Sequence, residues 1–129
     1  MSLTLSEERS CLYASGDILG KEMAKKLNKV KNVEDFLSEI LSKGKDLLSF
    51  EYEMTGENEA YIVIKKSIFW EIVDKTSIYK IKKAGCTSER LFLETALRDF
   101  FPRAMVLKSG CRAEGDDRCR LKLYLEKID

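Results

Sequence analysis

The spacing of apolar residues constrains the fold of this 129-residue chain most strongly, because it changes from helical to strand-like at Gly44. Before that glycine, apolar residues follow the i, i+3, i+4, i+7, i+8 pattern of one buried helix face, at Val33, Phe36, Leu37, Ile40 and Leu41. After it, apolar and polar residues alternate as in a half-buried strand, with Leu48, Phe50, Tyr52 and Met54 on the apolar side. The chain therefore predicts helices followed by strands.

Capping signals divide the first third of the chain into helices. Thr4 and Glu7 stand at capping-box spacing. Asp17 is predicted to cap a second helical segment, and Asn32 a third. Gly44 is a natural helix stop, so we expect the helical part to end there.

Two hairpins and one further helix are predicted after Gly44. A turn at 56–59 leads to a return strand over 60–65, whereas 67–73 fits strand or helix equally. Helical spacing resumes after Ser88 and ends at Pro102, and two strands follow, running from Met105 and from Cys119. This order predicts an α+β fold, with N-terminal helices packed on an antiparallel sheet of about four strands and one long helix between two hairpins. We expect a single domain over residues 1–129.

Charge and hydropathy argue against several classes of partner. The net charge is +1, and we interpret the lysine clusters at 25–31 and 80–83 as solvated surface, so no nucleic-acid binding is expected. No stretch approaches the roughly 20 apolar residues of a membrane span, and the N-terminus lacks an apolar signal segment. We therefore expect a cytoplasmic protein without membrane insertion, in a reducing compartment where structural disulfides are rare.

Three cysteines in the last third, Cys86, Cys111 and Cys119, are the main candidates for chemistry in a chain without histidine. Two strands joined by the polar turn 112–118 would bring Cys111 and Cys119 together, and Cys86 could reach them from a neighbouring element. Their spacing matches no short zinc motif. Three interpretations stay open: a soft-metal site or reactive thiol cluster, buried core thiols, and a disulfide across the hairpin.

Several segments resemble those of a known family. Tyr13–Gly20 leads into a helix, Gly44 runs into the strand Phe50–Glu53, and the chain closes with a cysteine, an apolar helix and the motif Cys111-x-x-x-Gly115-Asp116-x-x-Cys119. Over nearly the whole chain, these segments resemble the four-vinyl reductase domain, also called the hydrocarbon-binding domain. The resemblance implies the mixed α/β fold of small subunits of the TRAPP vesicle-tethering complex, and the binding of a small, often hydrophobic molecule.

The same resemblance implies a zinc site. In aromatic-sensing members three cysteines and a glutamate hold the metal, and the cysteines match Cys86, Cys111 and Cys119, with Cys86 displaced by about one position. The glutamate position holds Lys108 here, and an ammonium is not a zinc ligand. The candidates for a fourth ligand are Glu94, Cys11, Glu114, Asp116 and water. Without metal, Lys108 would instead favour a reactive thiolate.

Three functions follow as hypotheses. The first is a stand-alone cytoplasmic module that binds a small hydrophobic ligand with regulatory consequences, with pocket walls at Phe69, Trp70, Tyr79, Phe92 and Phe101. The second is a structural assembly protein that forms a homodimer through helices, and the apolar pattern of Val33, Phe36, Leu37 and Ile40 would serve as core or as interface equally. The third, a tetrapyrrole vinyl reductase, has the least support, because the sequence has no G-x-G-x-x-G motif, P-loop or iron–sulfur spacing. We therefore expect no nucleotide cofactor, and zinc is the candidate cofactor.

Overall fold

The computed structural model describes residues 5–76, 82–110 and 118–125, and within them the side chains other than those of 5–12, 74–76 and 82–84. The helices are α1 (Leu5–Lys26), α2 (Val33–Lys43), α3 (Ile68–Thr76) and α4 (Lys82–Arg98). The strands are β1 (Leu48–Gly56), β2 (Glu59–Ser67), β3 (Ala104–Gly110) and β4 (Arg120–Leu125). This content confirms the predicted α+β class.

The described strands form one antiparallel sheet in the order β1-β2-β4-β3. β1 pairs with β2, and β3 pairs with β4, as the two predicted hairpins require. β2 also pairs with β4, with Ala60 opposite Leu123 and Ile62 opposite Leu121. The two hairpins therefore share one sheet, and the long helix α4 lies between them along the chain.

Two capping residues indicated by the sequence, Asn32 and Gly44, make the expected contacts. The Asn32 side chain accepts a hydrogen bond from the backbone N–H of Asp35 at 2.8 Å, at the start of α2. The N–H of Gly44 donates to a carbonyl in the last turn of the same helix. The segment that fitted strand or helix equally divides at Ser67, whose hydroxyl accepts from the N–H of Phe69 at 3.1 Å. Strand β2 ends at this serine and α3 begins directly after it.

Helix α1 is continuous, so the prediction that Asp17 caps a second segment is wrong. The Asp17 carboxylate accepts a hydrogen bond from the Thr95 hydroxyl at 3.0 Å and pairs with Lys21 at 3.1 Å. Glycine at position 20 lets α1 approach α4 closely, because a Cβ there would lie 2.7 Å from the carbonyl oxygen of Phe92. Because the two helices pack closely, the Asp17 carboxylate binds a side chain on α4 and does not cap the start of a helix.

Two predicted details near the C-terminal third also differ from the structure. Helix α4 begins at Lys82 and not after Ser88. Cys86 is buried in its first half, so the side of the helix that faces the core begins before the segment that the sequence predicted. In β3 the buried residues are Ala104 and Val106, whereas Leu107 is 43% exposed. The sequence predicted that Met105 and Leu107 face the core. In the structure the even-numbered residues of this part of β3 face it instead.

The apolar face of α2 lies in the core. Its four residues, Val33, Phe36, Leu37 and Ile40, are all 0% exposed and belong to one cluster of buried side chains between the helices and the sheet. This face is therefore buried in the core of the chain and is not a surface for a second subunit.

Candidate functional site

Two of the three predicted cysteines lie together in the structure. Cys86 sits in the first half of α4 and Cys119 directly precedes β4, and their Sγ atoms are 2.9 Å apart. This distance exceeds the roughly 2.05 Å of a disulfide bond, so the two sulfurs are in contact without being bonded. Both residues are buried, at 5% and 1% exposure. The buried position predicted for Cys119 from strand parity is confirmed.

A tryptophan holds the second sulfur in place. The indole N–H of Trp70 on α3 donates a hydrogen bond to the Sγ of Cys119 at 3.2 Å. Trp70 is itself 4% exposed, and its backbone N–H donates to the Ser67 hydroxyl, which caps α3, at 3.5 Å. Elements α3, α4 and the start of β4 therefore converge on one buried point.

Cys86 is disulfide-bonded. Cys119 lies buried beside it. The disulfide across the hairpin, from Cys111 to Cys119, stays a prediction, because Cys111 lies outside the described residues.

An open pocket of about 280 Å³ reaches this cysteine pair. We call it the Cys119 pocket, and its lining consists of Ile64, Lys65, Lys66, Ser67, Trp70, Glu89, Arg118 and Cys119. Glu89 is 0% exposed and was missed by the sequence analysis. The signal that could have found it is its position one helical turn after Cys86, which puts both residues on the same side of α4.

The zinc site stays a prediction. Cys111 lies outside the described residues, as do Glu114 and Asp116, and so does the side chain of Cys11. Among the side chains that are described, no three of the metal-ligating types are grouped closely enough to hold an ion.

Glu94, the remaining candidate for a fourth zinc ligand, has other partners. Its Oε2 accepts a hydrogen bond from the backbone N–H of Val106 at 3.0 Å, and its carboxylate lies 3.5 Å from both Arg90 and Arg98. Arg98 in turn donates from Nε to the carbonyl of Ala104 at 2.9 Å. Because β3 is an edge strand, these two α4 side chains satisfy backbone groups that the sheet leaves unpaired.

The aromatic residues predicted to line a ligand pocket have different environments. Phe69 and Phe92 are both 0% exposed, and their rings pack against each other with centroids 6.0 Å apart. Trp70 lines the Cys119 pocket, and Phe101 is half-buried against the core. Tyr79 lies outside the described residues. As a ligand-binding set, the five residues remain a prediction.

Comparisons with known proteins address the fold. No protein-family model matches the sequence, and no curated protein matches it. Among solved structures, the chain is similar to trafficking protein particle complex subunit 3 from Naegleria fowleri, which was solved covalently bound to palmitic acid. The match covers 95% of this chain and 80% of that one, with 18% sequence identity and a TM-score of 0.50.

The class that these observations define is the α+β fold of a small TRAPP subunit, as the resemblance implied. At this level of identity the similarity concerns the fold alone, and membership of the four-vinyl reductase family remains a prediction. In the described part of the chain, no helix has the length and apolar character needed to span a bilayer.

Proposed function

We propose that this chain is an assembly protein, which acts by packing against another protein chain, and that it forms a homodimer. The observation that carries the proposal is the fold similarity, which extends over 95% of the chain to a protein whose name makes it a subunit of a complex. A small fold of this kind offers helix surfaces on one side of a single sheet, and such surfaces commonly form two-fold symmetric contacts.

The outward side of α1 is the surface that fits a second copy. Ile18 is 58% exposed and lies on the side of the helix opposite the glycines that face α4. Around it, acidic residues precede their basic partners in two ion pairs, Asp17 with Lys21 and Glu22 with Lys25. When two copies of this helix pack antiparallel about Ile18, the two isoleucines meet at the two-fold axis, and the charged residues lie at the polar rim of the contact.

The test is the oligomeric state of the purified chain and of two matched variants. We expect the wild type to be a dimer by native mass spectrometry and by light scattering, and Ile18→Glu to be a monomer. Ile72→Glu is the control, because Ile72 is also an exposed apolar residue, at 40%, but lies on α3. A monomeric wild type, or an Ile18→Glu variant that dimerises as the control does, would refute the proposal.

A second candidate is the binding of a small hydrophobic molecule with regulatory consequences. The observation that favours it is the palmitic acid bound covalently to the similar protein, together with a buried thiol, Cys119, beside Trp70 in a pocket of this chain. The resemblance to hydrocarbon-binding domains supports the same candidate.

Intact mass measurement tests this second candidate. If an acyl group is carried on Cys119, freshly purified protein should show the added mass, and hydroxylamine should remove it. Cys119→Ser should lack the adduct, whereas Cys11→Ser should keep it. A ligand held without a covalent bond would appear only under native conditions. Wild-type protein of bare mass under both native and denaturing conditions would count against this candidate.

A further inference from the structure

The outer face of the sheet, on the side away from the helices, carries its charge in columns along the strands. Alternate positions such as Ile62 on β2 and Leu121 on β4 point to the core and are buried there. The positions between them are exposed or half-buried and form the outer face. Its middle part is acidic on β1, apolar on β2 and basic on β4, with Glu51 and Glu53, Tyr61 and Val63, and Arg120 and Lys122 on the three strands in turn.

The strand register aligns these columns into rows. Glu53 lies opposite Tyr61, and Tyr61 lies opposite Lys122. The next row has the same order and consists of Glu51, Val63 and Arg120. Each row therefore runs from an acid on the edge strand β1, through an apolar residue on β2, to a base on β4.

We propose that this outer face binds the outer face of a second copy of the chain, about a two-fold axis that runs along β2. Rotation about that axis exchanges the two sides of β2, so the acidic column of each copy lies over the basic column of the other. Glu53 then faces Lys122 of the second copy, and Tyr61 meets its own equivalent at the axis. The face is complementary to itself because the acid and the base of each row lie one strand to either side of β2.

The same arrangement has one unfavourable feature at the ends of β2. Glu59 and Lys65 also lie on the outer face of this strand, and each would face an equivalent of the same charge. Both residues are exposed and lie outside the central rows, and Lys65 is paired with Glu51 of its own chain. Among the described side chains, neither Glu53 nor Lys122 is in an ion pair. The row of Glu53 and Lys122 is therefore the one to test.

The size of the face determines how strongly it binds. Three strands about 4.8 Å apart and about 20 Å long present roughly 300 Å² per copy, against about 800 Å² per partner in a standard interface. We therefore expect a weak association, which forms towards millimolar concentration. It lies on the opposite side of the molecule from Ile18, so dimers that form through α1 can join through their sheets. The proposal goes beyond the proposed α1 dimer and does not rest on it.

Charge reversal on the Ile18→Glu background tests the proposal, because that background lacks the α1 contact whether or not the wild type dimerises through it. Sedimentation velocity from micromolar to millimolar concentration measures the association. We expect the parent to form dimers at the upper end, and Glu53→Lys or Lys122→Glu on that background to stay monomeric. An equimolar mixture of these two variants should form dimers again. In the mixed dimer one copy supplies only bases to this row and the other only acids, so every contact is again complementary.

A second pair of variants controls for attraction between proteins of opposite net charge. Glu34→Lys and Lys45→Glu make the same changes in charge at exposed positions on α2 and directly after it. Each of them, and their mixture, should associate as the parent does. A parent that stays monomeric at every concentration would overturn the proposal. So would a mixture of Glu53→Lys and Lys122→Glu that stays monomeric, or control variants that lose the association.

Discussion

Replacement of Glu94 by alanine should destabilise the fold far more than its partly exposed position on α4 suggests. The Glu94 side chain is 13% exposed, and its carboxylate accepts the N–H of Val106 on the edge strand β3. Edge strands carry unpaired backbone groups, and Val106 is 0% exposed. The alanine variant would leave this buried donor without its carboxylate acceptor.

The magnitude follows from the contacts that are lost. A hydrogen bond to a charged group contributes about 1.5–3 kcal/mol. The two ion pairs, to Arg90 and Arg98, are long at 3.5 Å and partly exposed, so each adds about 0.2–0.5 kcal/mol. We expect Glu94→Ala to lower the free energy of unfolding by about 2–3 kcal/mol, and Arg90→Ala by about 0.5 kcal/mol. Glu94→Gln keeps an oxygen acceptor for Val106 and should lose about half as much as alanine.

Guanidinium unfolding followed by the fluorescence of Trp70, the single tryptophan of the chain, measures these differences. The Glu94→Ala midpoint should fall with an unchanged slope, because the surface exposed on unfolding stays the same. In thermal unfolding the same loss corresponds to roughly 10 °C. If Glu94→Ala and Arg90→Ala have equal midpoints, the contact to the β3 backbone contributes nothing and the reasoning is refuted.

Two further predictions concern α1. Gly20→Ala should lower the free energy of unfolding by about 1–3 kcal/mol in the same assay, because its Cβ would lie 2.7 Å from the Phe92 carbonyl oxygen and force the helices apart. Gly56→Ala is the control: its Cβ would meet nothing nearer than 3.6 Å, so its stability should stay close to that of wild type. Hydrogen bonds, first that from Lys21 and then that from Thr95, lower the pKa of Asp17 below its ordinary value of 3.8. A depressed carboxyl pKa stabilises the fold above the unfolded-state pKa, and this contribution is lost as pH falls through the folded-state pKa. Asp17→Asn should therefore be less stable than wild type at pH 6, and the difference should shrink below pH 3.8.

Features that depend on nearby residues were predictable from the sequence. Asn32 caps α2 through an N–H three residues on, and Gly44 ends the same helix through a carbonyl one turn back, so both signals lie within a few positions. The alternation of Leu48 and Phe50 with polar residues likewise reports the side of β1 that is buried. Because the order of helices and hairpins follows from such local patterns, the α+β class and the four-stranded sheet could be read directly.

Features that depend on distant residues were not predictable in the same way. Asp17 has the form of a helix cap, but its hydroxyl partner, Thr95, is 78 positions away in sequence. Glu89 reads as a surface charge, because glutamate is almost never fully buried, yet it is 0% exposed. The clustering of Cys86 with Cys119 was expected, but the indole donor that fixes one of the sulfurs comes from α3, a segment whose secondary structure the sequence left open.

Helix α4 connects α1, which carries the proposed dimer surface, with the sheet edge and with the buried Cys119. One side of it packs on α1, where Gly20 contacts Phe92, and another holds the β3 backbone through Glu94. A third side carries Cys86 to its contact with Cys119. Interiors packed at this density transmit displacement to their neighbours instead of absorbing it. A displacement of α4 at the sheet edge, where Glu94 holds β3, therefore also acts on α1. The dimerisation of wild type and of Glu94→Ala should accordingly be compared by light scattering, where weaker dimerisation of the variant would establish the coupling and equal dimerisation would exclude it.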